Sequence, residues 1–348
     1  MAEEFDIAVV GGGPAGAVTA LCLARIGWRV AVLERRSLDQ QRTGETLPPE
    51  INPVLRSLGL WEAFLSQSPL ESPGIVSIWG SSVPNEVDFT DNPFGCGWHV
   101  DRKRFDRMLC REAVNAGAKL FLNSGVTFAR RAGDWQAGEV CAKFLVDATG
   151  GNGLLLDGER NRDQEDSLLA IVLRISNWRR HPQDLRTCVE ATRAGWWYST
   201  LLPGGAGVAM FFTGAEVYRE AGISITEQLH AAPLTRRRLE GGCVEEPKVV
   251  HTPSGRRKNV FGADWVAVGD SASSYDPLSG WGIFKALRHG QAAAEAIDAQ
   301  LRGDPEGVDG YAAQVKQEFE QYARQRRRYY FLEQRWIDEP FWLVRRRA

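Results

Sequence analysis

The sequence predicts an α/β protein in which a parallel βαβ architecture is interrupted by a mostly antiparallel β insert and followed by a C-terminal helical segment. Three observations carry this reading. An apolar strand, a glycine-rich turn, a helix and a second apolar strand follow one another between residues 5 and 33. Over residues 158–256 the apolar residues fall into short strand-like runs separated by turns. Helical spacing returns near residue 282 and continues almost to the last residue.

The elements follow in order. Phe5–Val10 reads as a buried strand, residues 17–26 as a helix ended by Gly27, and Val30–Leu33 as a second strand. Residues 53–65 have helical spacing in Val54, Leu55, Leu58, Trp61 and Leu65. Residues 70–98 are rich in Gly, Pro, Ser and Asn and read as short strands and turns. Residues 102–116 predict an amphipathic helix with Phe105, Leu109 and Ala113 on one face. Residues 119–122 and 143–146 predict strands. In the insert, residues 168–175, 197–202 and 207–213 predict an antiparallel sheet. A strand at 264–269, a helix at 282–301 and a long helix at 309–335 complete the chain. The implied units are 1–66, 96–157 and 257–303 for the first domain, 67–95 and 158–256 for the second, and 304–348 for the C-terminal helix and tail.

With 348 residues the chain can form about two domains around sizeable cores. The 42 basic and 44 acidic residues give a net charge of −2, which argues against a nucleic-acid partner. Cysteines 22, 96, 110, 141, 188 and 243 form no CxxC pair and no Cys/His metal spacing. No metal is expected, and a reduced, cytoplasmic setting is. The acidic start lacks a basic leader, and no apolar run of about 18 residues occurs, so neither secretion nor a membrane span is expected.

Gly11-x-Gly13-x-x-Gly16 stands between strand and helix, the context a dinucleotide fingerprint requires. Gly11 permits a tight turn, Gly13 lets backbone approach a pyrophosphate, and Gly16 lets helix pack on strand. The helix N-terminus offers unpaired N–H groups to phosphate. Glu34 ends the second strand, where a carboxylate accepts a hydrogen bond from a ribose hydroxyl. No second βαβ unit is available for a nicotinamide nucleotide.

Asp6 through Glu34 resembles the FAD-binding start of the p-hydroxybenzoate hydroxylase-like superfamily, with its Rossmann-like, GR2-type domain. Val146-Asp-Ala-Thr-Gly150 resembles that group's second FAD segment. Val268-Gly-Asp-Ser271 with Asp276-Pro-Leu-Ser-Gly-Trp-Gly-Ile283 resembles the third. The resemblance implies that Gly269 and Asp270 hold the ribityl and phosphate portion. It also implies that Pro277, Gly280, Gly282 and Ile283 set a helix N-terminus against the flavin, where negative charge of the reduced ring is stabilised. Ala15, Arg35, Arg42, Arg102, Val126 and Gly150 complete the implied FAD contacts.

Arg42-Thr-Gly-Glu-Thr-Leu-Pro-Pro49 resembles the Gly-Glu-x-x-Pro segment of flavin-dependent halogenases and their non-halogenating cousins. Three halogenase features are missing. Residues 37–102 hold no lysine, no glutamate follows the Pro-Leu turn, and Trp197-Tyr-Ser-Thr-Leu-Leu-Pro203 stands where a WxWxIP signature belongs. Gly195-Trp-Trp-Tyr-Ser199, Pro203-Gly-Gly205 and Gly280-Trp-Gly-Ile-Phe-Lys-Ala-Leu287 resemble the LodB-, GoxB- and QhpG-like flavoproteins that mature quinone cofactors, as does the tail from Arg328 to Trp342. The expectation is therefore a FAD-dependent monooxygenase hydroxylating an indole side chain, on a peptide or protein, through a flavin C4a-hydroperoxide. Its co-substrates are O₂ and electrons from NAD(P)H or a separate flavin reductase. The rivals are a halogenase, a dehydrogenase or reductase, and a non-catalytic FAD protein that delivers a precursor.

The catalytic candidates are Glu45, His99 and Trp281. Glu45 can orient substrate or accept an indole N–H, or simply bond backbone. His99 precedes the Arg102 helix and is the best general base of five histidines, or a hydrogen-bonded structural residue. Trp281 can wall the cavity or pack in the core. Trp197 and Ser199 with Trp281 are the expected substrate pocket, with sheet packing as the alternative for the first two. Lys285 can reach the flavin or lie solvated. The basic runs Arg324–Arg328 and Arg345–Arg347 can bind a precursor peptide or carrier, or form a solvated face.

Overall fold

The computed structural model describes residues 3–125, 128–131, 133–151, 162–178, 184–304 and 306–347. Strand Glu3–Val10 is the centre of an eight-stranded sheet and pairs in parallel with Val30–Leu33 and Val140–Asp147. Parallel strands Lys119–Phe121 and Trp265–Ala267 extend it on either side. Both faces are covered, which is why these strands read as continuous apolar runs. Ile7, Val9, Val30 and Val32 pack with the helices, among them Pro14–Arg25, Arg102–Asn115 and Gly282–Leu301. Phe5, Ala8, Val10, Ala31 and Leu33 pack on Trp135 and Ala137. Those two belong to an antiparallel pair, Phe128–Arg131 with Asp134–Ala137, which the sequence reading did not anticipate.

The second eight-stranded sheet is mostly antiparallel. Its order begins Cys243–Val244, Leu168–Ser176, Gly207–Gly214, Gly195–Leu201, Thr187–Thr192 and ends Gly74–Ile78, Asn85–Asp88. Lys248–His251 also pairs with Leu168–Ser176. The pleat sends alternate residues to opposite faces. One face carries Ile171, Leu173, Trp197, Leu201 and Phe211 against residues of helices Ile225–His230 and Pro233–Leu239. The other carries Ala170, Val172, Trp196, Met210 and Phe212 against Tyr330, Phe341 and Trp342 of the C-terminal helices.

Three expectations on elements change. The single helix expected over 53–65 is two, Ile51–Ser57 and Trp61–Leu65, because Gly59 adopts φ +64° between them. The long C-terminal helix runs Glu306–Leu332, and a separate helix Pro340–Arg347 follows, with proline at its first position. Three short helices, Ala215–Ala221, Ile225–His230 and Pro233–Leu239, lie within the insert.

Candidate FAD site and aromatic pocket

The fingerprint glycines divide by what each would meet if it carried a side chain. Gly11 has φ +110°, and a Cβ there would lie 2.2 Å from the Ala148 carbonyl oxygen. A Cβ on Gly16 would lie 2.0 Å from the Gly11 oxygen. Both are glycine for the fold's sake. Gly13 is different: it caps the helix at φ −75° and ψ 178°, open to any residue, and its Cβ would meet only the tip of Arg42 at 3.5 Å. Nothing in the protein demands glycine there, whereas a pyrophosphate against the backbone does. The residues present therefore fit the cofactor that the fingerprint implies.

Glu34 is buried. Its Oε2 accepts from the Gly12 N–H at 2.9 Å and from Arg42 Nη2 at 3.1 Å, and its Oε1 accepts from the Arg36 N–H. A carboxylate has about four acceptor positions, so one on Oε1 remains for a ribose hydroxyl. Arg42 lies between Glu34 and Asp106, beside Gly13. Arg102 makes a paired contact with Asp106 and donates to the carbonyls of Thr43 and Gly44, latching the Gly44-Glu45 loop. Arg35 is exposed. Asp147 accepts from Thr149 and pairs with Arg257 at 3.3 Å, fixing the turn that leads to Gly150. Val126 lies outside the described residues.

The third block closes on the first. A Cβ on Gly269 would lie 2.6 Å from the Ala15 Cβ, so the two turns touch. Asp270 is half exposed and is held by Lys285 Nζ at 2.7 Å. Lys285 itself is buried, donates to the Ser273 carbonyl and lies 4.3 Å from the Tyr275 ring centre. It is thus a brace for the Asp270 loop, not a solvated lysine. Asp276 opens the turn Pro277–Ser279 by accepting from the Leu278 N–H at 2.9 Å, Gly280 follows at φ +65°, and Gly282 begins the long helix with Ile283. Gly280 and Gly282 have open space where a Cβ would stand. Ile283 reaches within 3.8 Å of the position a Gly44 Cβ would take, which brings the Gly44-Glu45 loop beside the helix N-terminus.

Above that loop, the inner face of the second sheet is layered in rows by its register. Arg174, Val208 and Thr200 form one row, Val172, Met210, Tyr198 and Val189 the next, and Ala170, Phe212, Trp196 and Ala191 the third. The first row is polar and meets the loop: Arg174 Nη2 bonds Glu45 Oε1 at 3.0 Å and the Arg42 carbonyl at 2.9 Å. Glu45 also accepts from the Gly44 N–H. Burial raises the Glu45 pKa against the opposing pull of Arg174 and Arg102. The third row is aromatic, with Trp196 stacked on Phe212 at 4.1 Å and Trp79 edge-on to Trp196. The middle row is apolar apart from the Tyr198 hydroxyl, which bonds Thr46 Oγ1 at 2.5 Å, and Leu278 of the turn packs in the same cluster. Burial holds the Tyr198 phenol protonated.

These positions correct the pocket expected from sequence. Trp197 is fully buried on the opposite face, against Phe211, with its indole N–H donating to the Gln228 carbonyl at 3.1 Å. Ser199 is buried on the same side as Trp197. The sheet alternation thus presents Trp196 and Tyr198 inward. His99 is buried too: Nε2 meets the Leu185 carbonyl at 2.7 Å, and Nδ1 faces the hydroxyls of Thr46 and Thr200 at 3.2 and 3.0 Å. Burial lowers its pKa to about 4. Its ring is neutral, with one nitrogen committed to a carbonyl, so it holds Thr46 and Thr200 in place instead of standing free as a base. Trp281 is 43% exposed at the helix start, edge-on to Phe284. Arg174 was missed, and from the aromatic run 196–198 the sequence reading chose Trp197 for the pocket. A signal for Arg174 existed: one charge in the apolar strand Leu168–Ser176, in phase with its inward residues.

The tryptophan halogenase family model matches residues 80–348, and the FAD binding domain model matches residues 4–154. The chain belongs to the flavin-dependent tryptophan halogenase-like family. It is 29% identical over 366 residues to the putative FAD-dependent oxidoreductase LodB of Marinomonas mediterranea, covering 98% of this chain and 96% of that one. It is 27% identical to the flavin-dependent halogenase armH3 of Armillaria mellea, covering 86% and 68%. Among solved structures, the peptidyl tryptophan dihydroxylase QhpG matches with a TM-score of 0.78 at 25% identity, covering 99% of this chain and 79% of QhpG. The myxobacterial chondrochloren halogenase CndH shares the fold, with a TM-score of 0.88 at 23% identity over 99% and 86%. This family member is a FAD-dependent oxidoreductase. Among its described residues, no helix is long and apolar enough to cross a membrane.

Proposed function

We propose that this flavoprotein is a monooxygenase that hydroxylates the indole of a tryptophan held in a peptide or protein. One observation carries the reading: the inner sheet face sets an apolar row between an aromatic row and a buried Glu45–Arg174 pair, and every lysine of the chain lies elsewhere. Val172, Met210, Tyr198 and Leu278 line that row. Lys285 is bound to Asp270 and Ser273, Lys103 to Asp39, Lys119 to Glu3 and Lys258 to Asp163. Lys143, Lys248 and Lys316 are exposed. No ammonium group therefore stands on this face to handle an oxidised halide, and its apolar and aromatic side chains suit contact with an indole. The likeness to a peptidyl tryptophan dihydroxylase supports the substrate class.

Gly11, Gly13, Gly16, Glu34 and Arg42 would hold the nucleotide portion of FAD, and Asp270 with Pro277–Gly282 the ribityl and ring portion. Once reduced and bound, FAD supplies activated oxygen from O₂. The chain supplies position and dryness. Glu45 Oε1 and Oε2 accept hydrogen bonds, and the carboxylate can take an indole N–H in exchange for one of its present donors. Arg174 keeps that carboxylate in place. Val172, Met210 and Leu278 exclude water from the reacting edge. Trp281, exposed at the helix start, is open to contact with a polypeptide bearing the indole. Electrons come from NAD(P)H or a separate flavin reductase.

The test is turnover of the FAD-loaded protein with a flavin reductase, NADH and O₂ on Trp-containing peptides, with and without chloride or bromide. A peptide heavier by one oxygen, independent of halide, is the expected product. A halogenated product would favour the halogenase reading, which the family and relatives such as armH3 support. Oxidation of reduced flavin without any modified peptide, across peptides and free indoles, would overturn monooxygenation.

A further inference from the structure

The long C-terminal helix has no part in the cofactor-binding motifs, yet three of its side chains converge on the turn that follows Asp276. Tyr322, Arg326 and Tyr330 are spaced by four residues and share one buried face of helix Glu306–Leu332. The Tyr330 hydroxyl donates to Asp276 Oδ2 at 2.7 Å, and Arg326 Nε reaches the same oxygen at 3.4 Å. The Asp276 N–H donates to the Tyr322 hydroxyl at 2.6 Å. Arg326 also pairs with Asp166, whose Oδ1 accepts from the Leu168 and Ser254 N–H groups. Asp276 Oδ1 in turn accepts from the Leu278 N–H.

Two further contacts extend the arrangement. The Tyr330 oxygen accepts from the Trp196 indole N–H at 3.2 Å, so a hydrogen-bonded chain runs from the aromatic row of the sheet through Tyr330 and Asp276 to Leu278. Tyr322 stacks on Tyr275 at 4.1 Å and 2°, and Tyr275 faces Lys285, which holds Asp270. One helix therefore braces both loops of the third block. Trp196, Tyr330, Asp276 and Arg326 are buried, and removing one leaves another unsatisfied.

We propose that Tyr330 and Arg326, with Tyr322, are positioning residues that set the flavin-facing turn through Asp276. This rests on the reading that residues 277–282 face FAD. The helix N-terminus at Gly282 favours negative charge near it, so its placement biases reduced over oxidised flavin. Loosening the turn should weaken the hold on reduced FAD more than on oxidised FAD.

The experiment compares Tyr330→Phe, Arg326→Lys and Asp276→Asn with wild type. Oxidised FAD affinity is measured by titration of the apoprotein, and the midpoint potential by anaerobic equilibration with a reference dye. Tyr330→Phe keeps the ring and its packing. The expected result is about a tenfold shift in the ratio of reduced to oxidised FAD affinity, which is ~30 mV for a two-electron couple. Asp276→Asn should shift it similarly, and Tyr330→Phe/Asp276→Asn by no more than the larger single change, because both act on one bond. If Tyr330→Phe does not fold, Arg326→Lys carries the test. Gly280→Val strains the turn directly, at φ +65°. A thermal shift with an unchanged potential in Tyr330→Phe and Arg326→Lys, while Gly280→Val moves the potential, would overturn the proposal and leave the turn's assignment standing. An unchanged potential in all of them would remove both.

Discussion

Replacing Gly13 by serine should abolish tight FAD binding while leaving the apoprotein at least as stable as wild type. Gly13 is the N-cap of helix Pro14–Arg25 at φ −75° and ψ 178°, the extended geometry serine favours at that position. Its Cβ would sit 3.5 Å from Arg42 Nη1, an ordinary contact with a movable side chain. Serine gains a few tenths of a kcal/mol as a cap and about 0.4–1 kcal/mol from the unfolded chain. The apoprotein should therefore gain roughly 0.5–1 kcal/mol, a rise in Tm of no more than about 2–4 °C. The cofactor meets the opposite situation, because its pyrophosphate needs the space the Cβ takes. An affinity loss of at least about a hundredfold is expected, ~2.8 kcal/mol. Gly16→Ser is the contrast: its Cβ would stand 2.0 Å from the Gly11 oxygen, so the fold itself should suffer. Thermal melts of apoprotein and FAD titrations followed by flavin fluorescence read both quantities. Gly13→Ser binding FAD within about threefold of wild type would refute the cradle. So would an apoprotein melting as early as Gly16→Ser.

Trp197→Ala should cost about 3–5 kcal/mol by urea or thermal unfolding, since the ring is fully buried on Phe211, and leave FAD affinity unchanged. A small stability change with altered substrate preference would return Trp197 to the pocket. His99 should make the protein acid-sensitive. Its folded pKa is lowered to about 4 from 6.5, so the unfolded chain binds the proton first, and stability falls as pH drops from about 6.5 towards 4. Between pH 7 and 5 the loss is about 2 kcal/mol. His99→Gln should remove that share, seen as a shallower pH dependence of unfolding than wild type. Equal slopes would mean that His99 is solvated in the native state.

The nucleotide half of the fold was legible because its signals are local. Strand, glycine turn and helix lie within 30 residues, and each glycine's role depends on neighbours a few positions away. The same locality explains what was missed. The helices between Ala215 and Leu239 cover Trp197 and Phe211, and only the fold shows which face they cover. Strand Phe128–Arg131 spans four residues, too few for a period to show in the sequence. Gly59 splits the expected helix over 53–65 because its positive φ ends the first turn-rich stretch, a signal available in the sequence but outweighed by the apolar spacing around it.

The site shows the same division in a sharper form. Glycines, Glu34 and Asp270 are recognisable by residue type, because a nucleotide-binding motif calls for those types at fixed spacing. Pocket residues are selected by which side of a strand they occupy. Trp196, Trp197 and Tyr198 are consecutive aromatics, so composition favours each equally, and a register shift of one residue would exchange their faces. The decisive constraint lies far away in sequence. Thr46 binds the Tyr198 hydroxyl, Arg174 binds Glu45, and Tyr330 binds the Trp196 indole. Each contact fixes the same face inward, and together they over-determine the register. Arg326 carries the point furthest: within a run of arginines it reads as surface charge, yet it is buried between Asp166 and Asp276. A buried arginine without partners costs several kcal/mol, so Asp166 and Asp276, 110 residues apart by subtraction of their numbers, must come together before that helix can dock. The turn Pro277–Ser279 is thereby tied to placement of strand Leu168–Ser176 of the second sheet, which begins two residues after Asp166.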